Sequence, residues 1–155
     1  MSILEPKNTS KRFINVLASD GTFREVVDKN TEGAKMREWE AKDGTTGVKY
    51  ELVYETAKGK IDNIRFKDGD YGEQILITLK SEDENEEPVT ISLATNQPFG
   101  EDFMKKLPNI KLDKDVIFRP FNFEDETGKN RRGLAITQEE NGEQVKVDNY
   151  YYDKE

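Results

Sequence analysis

Five dipeptides ending in glycine, Asp20-Gly21, Asp43-Gly44, Asp68-Gly69, Thr127-Gly128 and Asn141-Gly142, cut the chain into stretches where apolar and polar residues alternate. Such dipeptides supply the backbone geometry of a tight hairpin turn. Alternation with period two then puts one side of each flanking strand in a core and the other in water. The pattern is plain in Val48, Tyr50, Leu52 and Tyr54, in Ile75, Ile77 and Leu79, and in Val89, Ile91 and Leu93. A chain patterned this way folds as hairpins, and a helix is expected only where the alternation fails.

It fails in PFGEDFMKKLP. There Phe99, Phe103 and Leu107 recur every four residues, Glu101 and Asp102 lead, Lys105 and Lys106 follow, and Pro108 ends the run. The spacing predicts a short helix whose charges suit its dipole.

The expected order from residue 47 is a long strand to about 67, strands at 73 to 80 and 89 to 95, the helix, and strands at 115 to 124 and 131 to 138. Three strands, a helix and two strands is the order of an OB-fold, a five-stranded barrel with one short helix between strands 3 and 4. Gly59 sits where the first strand of such a barrel bends. Tyr50, Leu52 and Tyr54 share even numbering with Ile64 and Phe66 while Ile61 falls out of phase, which predicts a bulge between 57 and 63. Residues 11 to 46 read as an N-terminal hairpin extension, 47 to 138 as the OB core and 139 to 155 as an acidic C-terminal segment, all in one domain.

Composition removes much chemistry. The 155 residues include no Cys and no His, so there is no disulfide, no Cys/His zinc site, no thiol nucleophile and no imidazole base. No apolar run approaches the roughly 20 residues that span a bilayer. The start, MSILEPKNTSKR, offers no signal-peptide core, so the expected compartment is the cytoplasm, or the host cytoplasm if the chain is viral.

The formal charge is −8, but it is unevenly spread. Residues 57 to 67 carry Lys58, Lys60, Arg65 and Lys67 against Asp62, a local +3, and Lys129, Arg131 and Arg132 give another +3. In the expected fold these segments border the binding face. Arg119, Phe121 and Phe123 alternate on one side of the fourth strand, opposite Val116 and Phe118. Cations beside aromatic rings suit a single nucleic-acid strand, because phosphates supply affinity through counterion release and every base offers a π-face. Trp39, Tyr54 and Tyr71 are further aromatic candidates, although Trp39 equally suits a cap on the barrel end. Phe66, Phe103 and Phe118 are assigned to the core.

Acids in 81 to 88 and 139 to 155 account for much of the negative charge. The last segment, with Tyr150, Tyr151 and Tyr152, is read either as a tail for a basic surface or as a final packed strand. Two rival functions are weighed. Asp68/Asp70, Asp113/Asp115 and Glu124/Asp125/Glu126 are the candidate cation clusters of a Mg²⁺ nuclease, but all lie in expected turns, where Asp has its own backbone role. A non-catalytic viral structural or adaptor module that binds protein partners is the stronger rival. No phosphate-binding glycine loop is present, and no cofactor or metal is expected.

The segments GVKYELVYETAKGKIDNIRFKDGDYGEQILITL, FGEDFMKKLPNI and FRPFNFEDETGKNRRGLAITQ together resemble the small OB-fold single-stranded DNA-binding proteins of bacteriophages, over roughly residues 35 to 155. The resemblance is one of architecture and texture. It implies non-enzymatic, sequence-nonspecific binding of single-stranded DNA, with RNA as the alternative, in replication or recombination. It also implies contacts with replication proteins through the acidic C-terminal segment. The cellular bacterial form's Gly/Gln/Pro-rich linker and aliphatic-Pro-Phe tip are absent.

Overall fold

In the computed structural model, which describes residues 12–69, 72–83 and 85–150, ten strands hydrogen-bond into one sheet. In chain order they are β1 (Arg12–Leu17), β2 (Thr22–Val27), β3 (Lys35–Glu40), β4 (Thr46–Tyr54), β5 (Ala57–Gly69), β6 (Gly72–Lys80) and β7 (Val89–Ala94), followed by β8 (Asp115–Glu124), β9 (Asn130–Glu140) and β10 (Glu143–Lys146). Helix α1 (Pro98–Lys106) and a 3-10 turn at Leu107–Asn109 lie between β7 and β8. Across the sheet the order is β10-β9-β8-β5-β6-β7-β1-β2-β4-β3, and every pairing is antiparallel except that of β1 with β7.

Four of the five glycine dipeptides turn as expected, whereas Asp68-Gly69 is the end of β5. Gly21, Gly44, Gly128 and Gly142 take φ of 68°, 90°, 83° and 84°. The aspartates do part of the turning: carboxylates of Asp20, Asp43 and Asp125 accept the amide N–H two residues on, at 3.1, 2.9 and 2.9 Å. The core gathers Ile75, Ile77, Ile91, Phe99, Phe103, Val116, Phe118, Leu134 and Ile136, each buried, with the rings of Phe103 and Phe118 5.9 Å apart.

Two expectations about the strand layout are corrected. The long strand from 47 to 67 is two strands, separated at Glu55 and Thr56. β4 pairs with β2 and β3, whereas β5 begins anew against β8 with Ala57 opposite Phe118. Alternation runs through both strands without Gly or Pro between them, so the break comes from which neighbour each half pairs with. The bulge is where the phase change puts it, between Ile61 and Asn63. A Cβ on Gly59 would lie 2.9 Å from the Lys80 carbonyl oxygen, so that position admits only glycine without a shift.

The second correction concerns closure. The sheet has ten strands and, among the described residues, no ladder joins its ends, because the far edge of β7 is taken by β1. The curled sheet instead meets itself at a turn: the Asn122 side chain on β8 donates to the carbonyls of Ala18 and Ser19, at 2.6 and 3.0 Å. Beyond β10, the open edge of β9 is covered by α1. The Leu134 amide donates to Asp102 Oδ2 at 2.8 Å, and Lys106 Nζ donates to the Leu134 carbonyl at 2.7 Å.

Phe66, expected in the core, is 55% exposed. It stands opposite buried Ile75 and so shares the core-side face, but it lies near the end of β5 that leads to β6. At the C-terminal end, the acidic segment begins inside the sheet, with β9 reaching Glu140, β10 returning, and Val147 buried and donating its amide to Ile136. Tyr150 is exposed and its amide donates to the Lys105 carbonyl. Tyr151 and Tyr152 lie outside the described residues.

The extension formed by β1, β2, β4 and β3 is stitched by ion pairs across its strands. Arg12 donates twice to Glu25, at 2.8 and 2.9 Å, and Tyr54 Oη donates to the same carboxylate at 2.8 Å. Glu51, 2% exposed, accepts two hydrogen bonds from Arg37 at 2.7 and 2.9 Å and a longer one from Arg24. Hydrogen bonds from these arginines, Arg12 for Glu25 and Arg37 for Glu51, hold both carboxyls below the usual range despite burial.

Candidate nucleic-acid interface

The bulge decides which cations share a face. Before it, Gly59 and Ile61 are buried and Lys58 and Lys60 point away from the core. After it the parity reverses, Ile64 turns inward, and Arg65 and Lys67 point away from the core. One extra residue therefore puts all four cations of β5 on the same outer face. Among the described residues none of the four, nor Arg119, enters an ion pair, whereas Arg12, Arg24 and Arg37 of the extension all do.

The four cations divide between two hollows. Lys58 and Lys60 line one together with Lys114 and Ile117, but Glu82, Asp113, Asp115 and Glu139 line it too. Acids there oppose an anionic ligand. Arg65 and Lys67 line the other, about 430 Å³, with Phe13 and Asn15 from β1, Gln74 and Leu76 from β6, and Ser92 from β7. Among the described residues no acid lines this second hollow.

On β8 the alternation survives Pro120. Phe118 is 0% exposed, while Arg119 and Phe123 are exposed on the opposite face and Phe121 is half-buried there. The rings of Phe121 and Phe123 lie 5.7 Å apart. Phe121 stands opposite Gly133, where a Cβ would come 2.8 Å from its ring and against Asp102. Phe121 is thus partly packed, and Phe123, at 53% exposed, is the open ring of the pair.

In the β8–β9 turn, Asp125 accepts from the Thr127 hydroxyl and amide, from the Lys129 amide, and from Arg131 Nε at 2.8 Å. The Thr127 hydroxyl and Arg131 together hold its carboxyl down to about 2. Arg131 is therefore a turn-building cation, and Lys129 and Arg132 are exposed without an ion pair among the described residues.

Other candidates stand apart. Trp39 on β3 lies opposite Gly47, with its indole where a Gly47 Cβ would be, in a hollow shared with Glu38 and Glu40. Tyr54 is committed to the Arg12–Glu25 pair. Tyr71 lies outside the described residues. Phe13, Asn15, Gln74 and Ser92 were missed by sequence reasoning. The signal available was the FINV segment, whose Phe13 alternates with buried Ile14, but its place beside β7 is set by a parallel pairing that no local pattern encodes.

Among the described residues no helix is long and apolar enough to cross a membrane. Compared with known proteins, the chain matches no family model, no curated protein and no solved structure.

Proposed function

We propose that the protein is a sequence-nonspecific single-stranded DNA-binding protein without catalytic activity, and that β5 to β9 with α1 form its OB-type unit. The pairing of β5 with both β6 and β8 supports the second part, since a bent first strand joined to two neighbours is how such a barrel begins. The observation that carries the first part is the bulge at Ile61–Asn63, which aligns Lys58, Lys60, Arg65 and Lys67 on one outer face without ion pairs among the described residues. Phe13, which lines a hollow with Arg65 and Lys67, and the Phe121–Phe123 pair on the outer face of β8 offer stacking surfaces for bases. Protection or organisation of single strands in phage replication or recombination is the setting this reading fits.

The test is a titration of labelled oligo-dT over a salt series. For Z neutralised phosphates, log K falls with log salt at a slope of about 0.7 Z. No binding at low salt, or binding indifferent to salt, overturns the reading. The adaptor reading draws on the exposed Met36 and Val48 of the β3–β4 hairpin, at 59% and 50%. It gains ground if oligo-dT does not bind and Met36→Ser with Val48→Ser abolishes a protein contact.

A further inference from the structure

The hollow between β1 and β5 has a composition that a phosphate groove alone does not need. Phe13, 47% exposed, forms one wall, and Leu76, 8% exposed, gives an apolar surface. The Ser92 hydroxyl donates to Gln74 Oε1, which fixes that amide and turns its Nε2 toward Gly69, 4.0 Å from where a Cβ would stand. Arg65 and Lys67 flank the hollow from β5. Its volume of about 430 Å³ falls in the roughly 300–1,000 Å³ range of small-ligand clefts.

A flat aromatic face, an aliphatic surface, a fixed amide donor and two cations that form no ion pair among the described residues together match a planar heterocycle attached to a phosphate. We propose that this hollow seats one nucleobase of the bound strand against Phe13, with the adjoining phosphates on Arg65 and Lys67. The proposal rests on the single-strand reading and locates its first base-contacting subsite. It also gives the N-terminal extension a part in binding, because Phe13 and Asn15 come from β1 and the other lining residues from β5, β6 and β7.

The experiment compares oligo-dT with an abasic oligonucleotide of equal length by fluorescence anisotropy, across a salt series. The proteins are wild type, Phe13→Ala, Phe13→Tyr, and Arg65→Gln with Lys67→Gln. Wild type is expected to favour oligo-dT over the abasic strand. Phe13→Ala should lose roughly 5- to 100-fold for oligo-dT, little for the abasic strand, and leave the salt slope unchanged. Phe13→Tyr should restore the difference. The double Gln variant should weaken both ligands and lower the salt slope by roughly 0.7 for each lost phosphate contact. The inference is overturned if wild type binds both strands equally, or if Phe13→Ala, shown folded by its melting curve, binds oligo-dT as wild type does. If wild type binds neither strand at low salt, the single-strand reading itself falls, an outcome distinct from the previous two.

Discussion

The ammonium of Lys106 lies 2.7 Å from the carbonyl oxygen of Leu134, one helical turn from Asp102, whose carboxylate accepts the amide of the same residue. Two side chains of α1 thus satisfy the backbone groups that an adjoining strand would otherwise take on β9. Burial lowers the Lys106 pKa, as expected for a cation held by a neutral carbonyl. Lys106→Met should cost about 1–3 kcal/mol, the price of an unmet buried carbonyl, while exposed Lys105→Met should stay within about 0.5 kcal/mol. Urea unfolding of the two variants checks the contrast.

The ion pairs of the extension predict an acid-side loss of stability. Glu25 and Glu51 have folded pKa values below the ordinary 4.5, so their contribution is complete at neutral pH and disappears as pH falls from 4.5 through the lowered values. Glu51→Gln should reduce stability at pH 7 by about 2–3 kcal/mol, because Arg37 and Arg24 lose their carboxylate. It should also flatten the stability profile below pH 4.5. Unfolding free energies at pH 7, 5, 4 and 3.5 for the two proteins measure both effects; a variant profile as steep as the wild-type one would place the acid sensitivity elsewhere.

Neighbours on β8 should fail in different ways. Phe118→Ala opens the core against Phe103 and should cost about 3–5 kcal/mol. Phe121→Ala, half-buried over Gly133, should cost about 1 kcal/mol. Phe123→Ala should lie within about 0.5 kcal/mol and show its effect in oligo-dT affinity. Thermal melts paired with binding isotherms separate these outcomes, and a larger loss of stability from Phe123→Ala than from Phe118→Ala would reverse the assigned faces.

Within the β8–β9 turn, Arg131 and Asp125 act together. Arg131→Ala should raise the Asp125 carboxyl from its value of about 2 toward the ordinary 3.8, as read by NMR titration. Replacing Lys129, Arg131 and Arg132 with Ala should weaken oligo-dT binding for every sequence and flatten the salt slope. An unchanged affinity in the folded triple variant would remove this turn from the interface.

Local chemistry made the turns, the helix, the bulge and the inward set of β6 to β9 legible, because each is written in residues a few positions apart. The division at Glu55–Thr56 was not, since β2 and β8 compete for adjoining segments and neither is a local neighbour. Phe66 misled for a related reason: its parity is right for the core, but coverage there depends on distant elements. At the candidate site the cations of β5 were visible as a basic run, whereas the commitment of Tyr54 to Arg12 and Glu25 and the exposure of Phe13 follow from which strands become neighbours.

The parallel seam has a consequence for how the chain assembles as it is made. β1 leaves the ribosome before any other described strand, yet it sits between β2 and β7, with Arg12 aligned to Val89 and Asn15 to Ser92. Until residue 94 has emerged, the hairpin of β1 and β2 has only half of its partners, and Ile14 and Phe23, buried in the finished sheet, have no β7 to lie beside. Closing a loop of that span early is entropically costly, and contacts so far apart in sequence slow folding. A ribosome pause placed before β7 should therefore hold a nascent chain whose first hairpin remains open to proteases, and one placed after β9 should release it protected.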